Sequence, residues 1–461
     1  MSLPAAADGL LVRLVAGRPA LLALHAAAPA RYPFLLQSVA SGGRNARYDI
    51  LFAFPQGHLE LQANGRLDAN NVPNAISQDF LTQFDAWWRV EQQSQATSDL
   101  PFRGGWFLYL GYELAGQIEP RLHLPPARAS LPIARAVRIP AAVIFDHQRG
   151  ITSLIAEPRR AALLDEMTAD LEAAGAAPDV QRRIRISSLV EDPPQRYLDA
   201  VERVRRYIVE GDVFQVNLSR AWRTALSCAA DAPAVFRCLC HANPAPFAGL
   251  AQFAGAAVIS SSPERLVRVA DGVVETRPIA GTRPRHREAA RDRAVSAELL
   301  AHPKERAEHV MLIDLERNDL GRISVPGSMV VDELMVVESH AHVHHIVSNV
   351  RGRLRAGITP GEVIRAVFPG GTITGCPKVR CMEIIAELEQ EGRGPYTGSM
   401  GYVNRDGDMD LNILIRTMAL DRDCLELRAG AGIVADSEPD RELEETRAKA
   451  RGLLLALEGV M

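Results

Sequence analysis

The order of strand-like segments along the chain is the feature that most constrains its fold. The residue pattern predicts strands over 212–223, 248–260, 265–270 and 273–279, and again over 397–404, 409–420 and 424–430. Strand pairs therefore outnumber helical crossovers. Neighbouring strands joined by short turns pair antiparallel, whereas parallel strands need a long crossover between them. The order predicts an α+β fold built on large antiparallel sheets.

Helical segments are predicted in both halves of the chain. Their expected ranges are 76–93, 157–176, 195–210, 303–317, 360–368, 377–391 and 439–458. A polar, arginine-rich stretch that contains Pro193 and Pro194 is the best candidate boundary. We expect an N-terminal subdomain over 1–185 and a catalytic subdomain over 190–461.

Charge and hydropathy exclude several classes of function. The chain has 52 Lys+Arg and 56 Asp+Glu, a net charge of −4, so it carries no basic field for nucleic acid. No apolar run reaches the roughly 18 residues that a membrane helix needs. The segment after Arg13 loosely resembles a signal peptide, but Asp8 and His25 argue against secretion. Six cysteines without a paired spacing favour a reducing, cytoplasmic location.

Lysine is scarce enough to limit lysine-dependent chemistry. Only Lys304, Lys378 and Lys449 are lysine, and every other basic residue among the 52 is arginine. Replacement of lysine by arginine throughout a GC-rich genome explains the general bias. Any step that needs a lysine ammonium therefore has three candidates.

Two glutamate pairs have the spacing of neighbours on one helix face. Glu305 and Glu308 are three residues apart, and Glu442 and Glu445 repeat this spacing in the last predicted helix. Such pairs could supply hard oxygen ligands for Mg²⁺. Acidic residues near helix N-termini also complement the helix dipole, so the spacing alone leaves both interpretations open.

Other segments offer further binding or proton-transfer groups. The glycine-rich turn before Lys378 could receive an anion on free backbone N–H groups, although it departs from a phosphate-binding loop. The glycines at 430–435 lack the βαβ context of a dinucleotide site. Glu264 could act as a buried general acid, and Tyr396 and Arg416 could fix a carboxylate. The histidines at 340, 342, 344 and 345 could form a zinc site, a half-exposed strand face or a hydrogen-bonding group.

Together these segments occur in the order found in the chorismate-utilising enzymes, which include anthranilate, aminodeoxychorismate, isochorismate and salicylate synthases. The chain resembles this family over about 197–451. The segments that carry the resemblance are 277–282, 304–309, 314–322, 371–378, 396–402, 415–417 and 429–437. The resemblance implies two large facing antiparallel β-sheets with helices outside and Mg²⁺-bound chorismate in the cleft.

The resemblance also implies residue roles. Glu308 and Glu445 are expected to bind Mg²⁺ directly, and Glu305 and Glu442 through water. Glu264 resembles the general acid for loss of the C4 hydroxyl group of chorismate. The expected substrate-binding groups are Tyr396, Arg416, Thr282, Gly430, Lys449 and Lys378.

Three residues bear on the reaction within the family. Family members that use water place a lysine base where this chain has Gln215, so the resemblance favours ammonia. Several segments resemble the aminodeoxychorismate synthases, which is the first interpretation. Ala280 stands where that branch has a nucleophilic lysine, and Ala280 and His342 resemble anthranilate synthases, which are the alternative. The intact set of expected site residues argues against a third possibility, a non-catalytic chorismate-binding chain. No cysteine has the Gly-x-Cys-x-Gly surroundings of a glutaminase, so we expect a separate glutamine amidotransferase subunit to supply ammonia.

Overall fold

The structure is a computed structural model. It describes residues 9–39, 46–73, 77–94, 98–175, 184, 186–226, 232–286, 288–339 and 343–458. The helices in these ranges are α1 (Leu21–Ala27), α2 (Phe80–Glu91), α3 (Ala115–Ile118), α4 (Ala161–Gly175), α5 (Pro194–Val209), α6 (Ala232–Ala242), α7 (Ala289–Ala301), α8 (Pro303–Gly321), α9 (Pro360–Val367), α10 (Lys378–Glu389) and α11 (Pro439–Leu457).

The strands are short and numerous. Those of the N-terminal half are β1 (Leu11–Ala16), β2 (Phe34–Gln37), β3 (Tyr48–Ala53), β4 (Gly57–Leu61), β5 (Leu67–Asn70), β6 (Gly105–Leu110), β7 (Ala134–Ile139), β8 (Ala141–Asp146) and β9 (Ile151–Ala156). Those that follow are β10 (Val190–Glu191), β11 (Gln215–Ala225), β12 (Phe247–Phe253), β13 (Ala256–Ser262), β14 (Arg265–Ala270), β15 (Val273–Thr276), β16 (Ile279–Pro284), β17 (Val330–Ser339), β18 (Val343–Arg353), β19 (Gly375–Cys376), β20 (Ser399–Asn404), β21 (Met409–Asn412), β22 (Thr417–Asp421) and β23 (Cys424–Ile433).

Two antiparallel sheets contain all of these strands. The first has the order β1-β9-β8-β3-β2-β12-β13-β22-β23-β11-β10, with β19 also on β11. The second has the order β16-β18-β15-β14-β21-β20-β6-β7-β4-β5, with β17 also on β18. Each sheet joins strands from both halves of the chain, and the expected boundary between 185 and 190 stays a prediction. The predicted class, two large antiparallel sheets, is confirmed.

The sheets pack face to face, and the longer helices cover their outer faces. Phe34 of the first sheet stacks on Phe107 of the second with ring centroids 4.0 Å apart, inside an apolar core shared by both sheets. A second core joins the first sheet to α4, α6 and α11, and a third joins the second sheet to α2, α8 and α9. Of the described helices, none is long and apolar enough to cross a membrane.

Two long predicted strands are wrong in the same way, because each is broken in two. The segment predicted over 248–260 is the hairpin of β12 and β13, which turns at Gly255 with φ of +79°. The segment predicted over 409–420 becomes β21 in the second sheet and β22 in the first. Apolar residues over 413–415 hide this crossing in the sequence. The crossing places Arg416, with φ of +52°, between the sheets.

Candidate active site

The predicted acid, the predicted clamp residues and one predicted metal ligand come together where the chain crosses between the sheets. Arg416 lies at this crossing and interacts electrostatically with Tyr396, Glu445 and Glu264. Burial lowers the pKa of its guanidinium, and the three neighbours oppose that effect. A half-buried cation that faces acidic groups and a phenol is suited to receive a carboxylate ligand.

Glu264 lies in the connection between β13 and β14, and its side chain is buried. Burial raises the pKa of this carboxyl to about 7, while a hydrogen bond from Thr372 and the charges of Lys449 and Arg416 act against the shift. The Thr372 hydroxyl donates to Glu264 Oε1 at 2.9 Å. The backbone N–H of Ile413 binds the Glu264 carbonyl at 3.0 Å and ties it to the crossing segment. A carboxyl in this condition can hold and donate a proton near neutral pH.

Gly430 lies between Tyr396 of the predicted carboxylate clamp and the Lys449–Glu445 pair of the predicted metal site. It pairs with Ser219 across β23 and β11, and a Cβ there would lie 2.9 Å from the Tyr396 hydroxyl. Lys449 Nζ donates to the Gly430 carbonyl at 3.1 Å and lies 2.6 Å from Glu445 Oε1. A side chain at position 430 would therefore displace Tyr396, which explains the glycine physically.

Gln215 is the first residue of β11, which pairs with β23, the strand that precedes α11. A Cβ on Gly432 would lie 2.2 Å from Gln215 Nε2, so the glycine allows the amide to lie against β23. The Gln215 side-chain oxygen is buried and has no hydrogen-bond partner among the residues that the structure describes. An unpaired buried acceptor is costly unless a ligand or water satisfies it, so this oxygen is available to a small donor.

The four predicted metal-site glutamates lie on α8 and α11. The pKa of Glu308 is raised to about 7, chiefly by burial, with Lys304 opposing and Glu305 and Glu445 adding repulsion. Burial also raises the pKa of Glu442. Lys304 reaches Asp436, just before α11, at 3.1 Å and links the starts of the two helices.

The chemistry of this donor set fits Mg²⁺. Carboxylate oxygens are the ligands that this ion prefers, and a cation would relieve the repulsion around Glu308. Glu305 accepts from Arg283 at 3.0 Å, and Glu445 from Lys449. Within the described ranges, no three acidic, histidine or cysteine side chains are already arranged as a set of metal ligands.

For three other predicted residues the described contacts show no link to this group. Lys378 Nζ lies 2.5 Å from Asp319 Oδ2 and donates to the Val367 carbonyl at 3.3 Å, so its predicted role in substrate binding stays a prediction. Thr282 lies on β16, where its backbone pairs with His345. His342 lies outside the described residues. Its neighbour His344 is held between Asp292 and Ser339, at 2.9 and 2.7 Å.

A sizeable cavity lies apart from this group of residues. It has a volume of about 800 Å³ and lies between the sheets, lined by Gln37, Ser38, Phe247 and Tyr402 among others. None of the predicted catalytic, substrate-binding or metal-binding residues lines it. Size alone does not identify the reactive site, because the buried acid, the cation and the paired glutamates lie elsewhere.

Sequence reasoning missed the residues that support the site from behind. Thr372, which donates to Glu264, lies in the glycine-rich turn. The sequence pattern of this turn predicts only an anion-binding loop. Arg393 is fully buried behind Tyr396. A charged residue three positions before the predicted clamp was the only signal, and among 49 arginines it carried little information.

Comparison with known proteins gives a consistent picture. The sequence profile of the family described as chorismate binding enzyme matches residues 33–455. The chain is 38% identical to anthranilate synthase component 1 of Thermus thermophilus, over 94% of both chains. It is also 38% identical to aminodeoxychorismate synthase component 1 of Bacillus subtilis, over 82% of both. The crystal structure of anthranilate synthase component I from Streptococcus pneumoniae matches with a TM-score of 0.78 and 33% identity, covering 89% of this chain and 93% of that one.

Proposed function

Because this chain belongs to the chorismate-binding enzymes, we propose that it converts chorismate and ammonia to 4-amino-4-deoxychorismate and water. This is the reaction of an aminodeoxychorismate synthase, a transferase step toward p-aminobenzoate and folate. The observation that carries the proposal is Glu264, a buried acid whose pKa is raised to about 7 beside a half-buried arginine. Loss of a hydroxyl group requires such a proton donor, since hydroxide is a poor leaving group.

The residues around Glu264 divide the work of binding and proton transfer. Arg416 and the hydroxyl of Tyr396 hold a substrate carboxylate by charge and hydrogen bonding. Glu264 then donates its proton to the departing C4 hydroxyl, which leaves as water. Thr372 keeps the Glu264 carboxyl in place through its 2.9 Å hydrogen bond. Holding the substrate carboxylate and the C4 hydroxyl in place together reduces the entropic cost of reaching the reactive geometry.

Mg²⁺ is the proposed cofactor, held directly by Glu308 and Glu445 and through water by Glu305 and Glu442. When bound, the ion supplies positive charge that neutralises the ring carboxylate of the substrate. Lys449, which donates to the Gly430 carbonyl and pairs with Glu445, sets the position of α11 relative to β23. Thr282, Gly430 and Lys378 complete the proposed set of substrate-binding residues.

Ammonia is the proposed nucleophile, and Gln215 is the supporting residue. A glutamine cannot take a proton from water as a lysine base would, but its buried oxygen can accept a hydrogen bond from ammonia. We propose that a separate glutamine amidotransferase subunit supplies the ammonia. Ammonium salts at high concentration should replace that subunit in the test tube.

Anthranilate synthase is the second candidate, because position 280 holds alanine. Ala280 lies on β16 beside Ile346 and carries no amine, so a covalent lysine adduct there is impossible. The anthranilate synthase relative from T. thermophilus also covers more of the chain than the B. subtilis aminodeoxychorismate synthase does. His342 would be the group to test in pyruvate elimination if anthranilate forms.

One product assay decides between the candidates. The purified chain is incubated with chorismate, Mg²⁺ and an ammonium salt, with and without an added aminodeoxychorismate lyase. We expect p-aminobenzoate only when the lyase is present. Fluorescent anthranilate without added enzyme would contradict the proposal in favour of the second candidate. No turnover of chorismate under any of these conditions would identify a chain that binds chorismate without converting it.

A further inference from the structure

Arg393 carries an almost completely enclosed charge that no step above uses. Its side chain is 1% exposed and follows α10, four residues after Glu389. Glu389 accepts from Arg393 Nη2 at 2.6 Å and from Nε at 3.1 Å. Burying an arginine costs desolvation free energy even when a carboxylate pairs with its charge. The other hydrogen bonds of Arg393 therefore indicate what the buried side chain does.

The remaining donors of Arg393 reach two backbone segments beside the candidate active site, and its guanidinium face lies over a third element, the Tyr396 ring. Nη2 donates to the Asn217 carbonyl on β11 at 2.7 Å, two residues after Gln215. Nη1 donates to the Ile373 carbonyl at 3.1 Å, in the turn that carries Thr372. The guanidinium also lies over the Tyr396 ring, 5.6 Å from its centroid.

From these contacts we infer that Arg393 is a positioning residue, which fixes Tyr396 against β11 and the glycine-rich turn. The inference rests on the proposed function, because Tyr396 and Arg416 are the proposed clamp on the substrate carboxylate. Arg393 does not touch the substrate itself. It acts by holding the Tyr396 ring, the Asn217 backbone and the Ile373 backbone at fixed separations.

Arg428 provides a matched control for this role. It is also buried and donates to the same carboxylate, from Nη2 to Glu389 Oε2 at 3.0 Å. Its Nε also donates to the Ser219 hydroxyl at 3.3 Å. The two arginines therefore share one counter-ion, but only Arg393 bonds to the Ile373 and Asn217 carbonyls.

The test compares Arg393→Lys with Arg428→Lys. Both variants keep a positive charge beside Glu389, but an ammonium cannot reproduce the fork that reaches several acceptors at once. We expect the KM for chorismate to rise about tenfold in Arg393→Lys, which corresponds to one charge-assisted hydrogen bond. The kcat should change much less, because the clamp holds substrate and transition state alike. The KM of Arg428→Lys should stay within about twofold of the wild-type value.

Two further measurements keep the inference separate from the proposed function. Thermal unfolding of both variants shows whether a loss of stability explains the kinetics, and comparable melting temperatures with different KM values support positioning. An unchanged KM in Arg393→Lys, or equal changes in both variants, would overturn the inference. If the wild-type chain forms no amino product, the Kd for chorismate replaces KM: a weaker Kd in Arg393→Lys alone still supports positioning, and equal Kd values overturn it.

Discussion

A carboxyl group close to a guanidinium would ordinarily be ionised, yet burial dominates at Glu264. Its pKa of about 7 exceeds the ordinary value of 4.5 because Lys449 and Arg416 offset only part of the desolvation cost. The consequence is a proton donor that is half-charged near neutral pH. Both the activity and the stability of the protein should depend on this one proton.

Glu264→Gln separates the two effects. The pKa of Glu264 is higher in the folded protein than in the unfolded chain, so its favourable contribution is complete below pH 4.5 and is lost as the pH rises through about 7. Glutamine does not titrate, so the variant should gain up to about 3 kcal/mol of unfolding free energy over wild type by pH 8. Its kcat should fall at least about 100-fold at all pH values.

Chemical denaturation at pH 5, 7 and 8 checks the stability, and steady-state kinetics check the activity. Glu202→Gln is the control, since Glu202 pairs with Arg205 at the surface, where its side chain is 51% exposed. A stability difference between Glu264→Gln and wild type that does not grow with pH would refute a raised pKa at this carboxyl.

Residue types and spacings predict which residues form the site better than they predict the environment of those residues. Glu264, Arg416, Tyr396 and Glu445 are suggested by sequence and are neighbours in the structure. The raised pKa of Glu264 could not be predicted, because burial depends on how strands far apart in the chain are paired. Arg393 was missed for the same reason, since its acceptors come from β11 and from the turn at Ile373.

At the scale of elements, the decisive local irregularity is the bulge in β16. The register against β18 shifts between Ala280 and Thr282, where Gly281 has φ of +60°. A Cβ at Gly281 would lie 2.8 Å from Glu305 Oε2. The bulge thus allows β16 to approach the first glutamate pair of α8.

Gly281→Ala tests this link between the bulge and the proposed metal site. The variant should lose about 1–2 kcal/mol of stability because alanine strains at positive φ. It should also raise the Mg²⁺ concentration for half-maximal activity about tenfold, since Glu305 must move. Gly272→Ala is the matched control: it has φ of +72° and open space around the Cβ.

Mg²⁺ titration of activity and thermal unfolding measure the two quantities. The control should lose similar stability while keeping the wild-type Mg²⁺ requirement. An unchanged Mg²⁺ requirement in Gly281→Ala would contradict a role of Glu305 in metal binding.

Element boundaries are where sequence patterns carry least information. The helices predicted over 195–210, 303–317 and 439–458 correspond to α5, α8 and α11, because amphipathic spacing and proline at the first turn mark them. The break between β21 and β22 carries no such mark. Apolar residues at 413–415 continue the strand-like pattern while the backbone leaves one sheet for the other.

Across the whole molecule, each half of the chain contributes one contiguous block of strands to each of the two sheets. The first sheet runs from β1 to β2 and then continues with β12, and the second passes from β20 to β6. Composition and order predicted large antiparallel sheets, but this pairing of distant strands is set by tertiary packing. The cavity of about 800 Å³ beside Gln37 lies between strands of both sheets, and Arg416, Glu264, Tyr396 and Glu445 do not line it.

We expect chorismate to bind at the charged group around Arg416 and not in the cavity beside Gln37. The most direct measurement is a crystal structure of Glu264→Gln with chorismate and Mg²⁺, because a variant without the acid should bind chorismate and convert it slowly. We expect one chorismate with a carboxylate on Arg416 and Tyr396, and Mg²⁺ between Glu308 and Glu445. Chorismate bound instead in the cavity lined by Gln37 and Tyr402, with Arg416 free of ligand, would contradict this expectation.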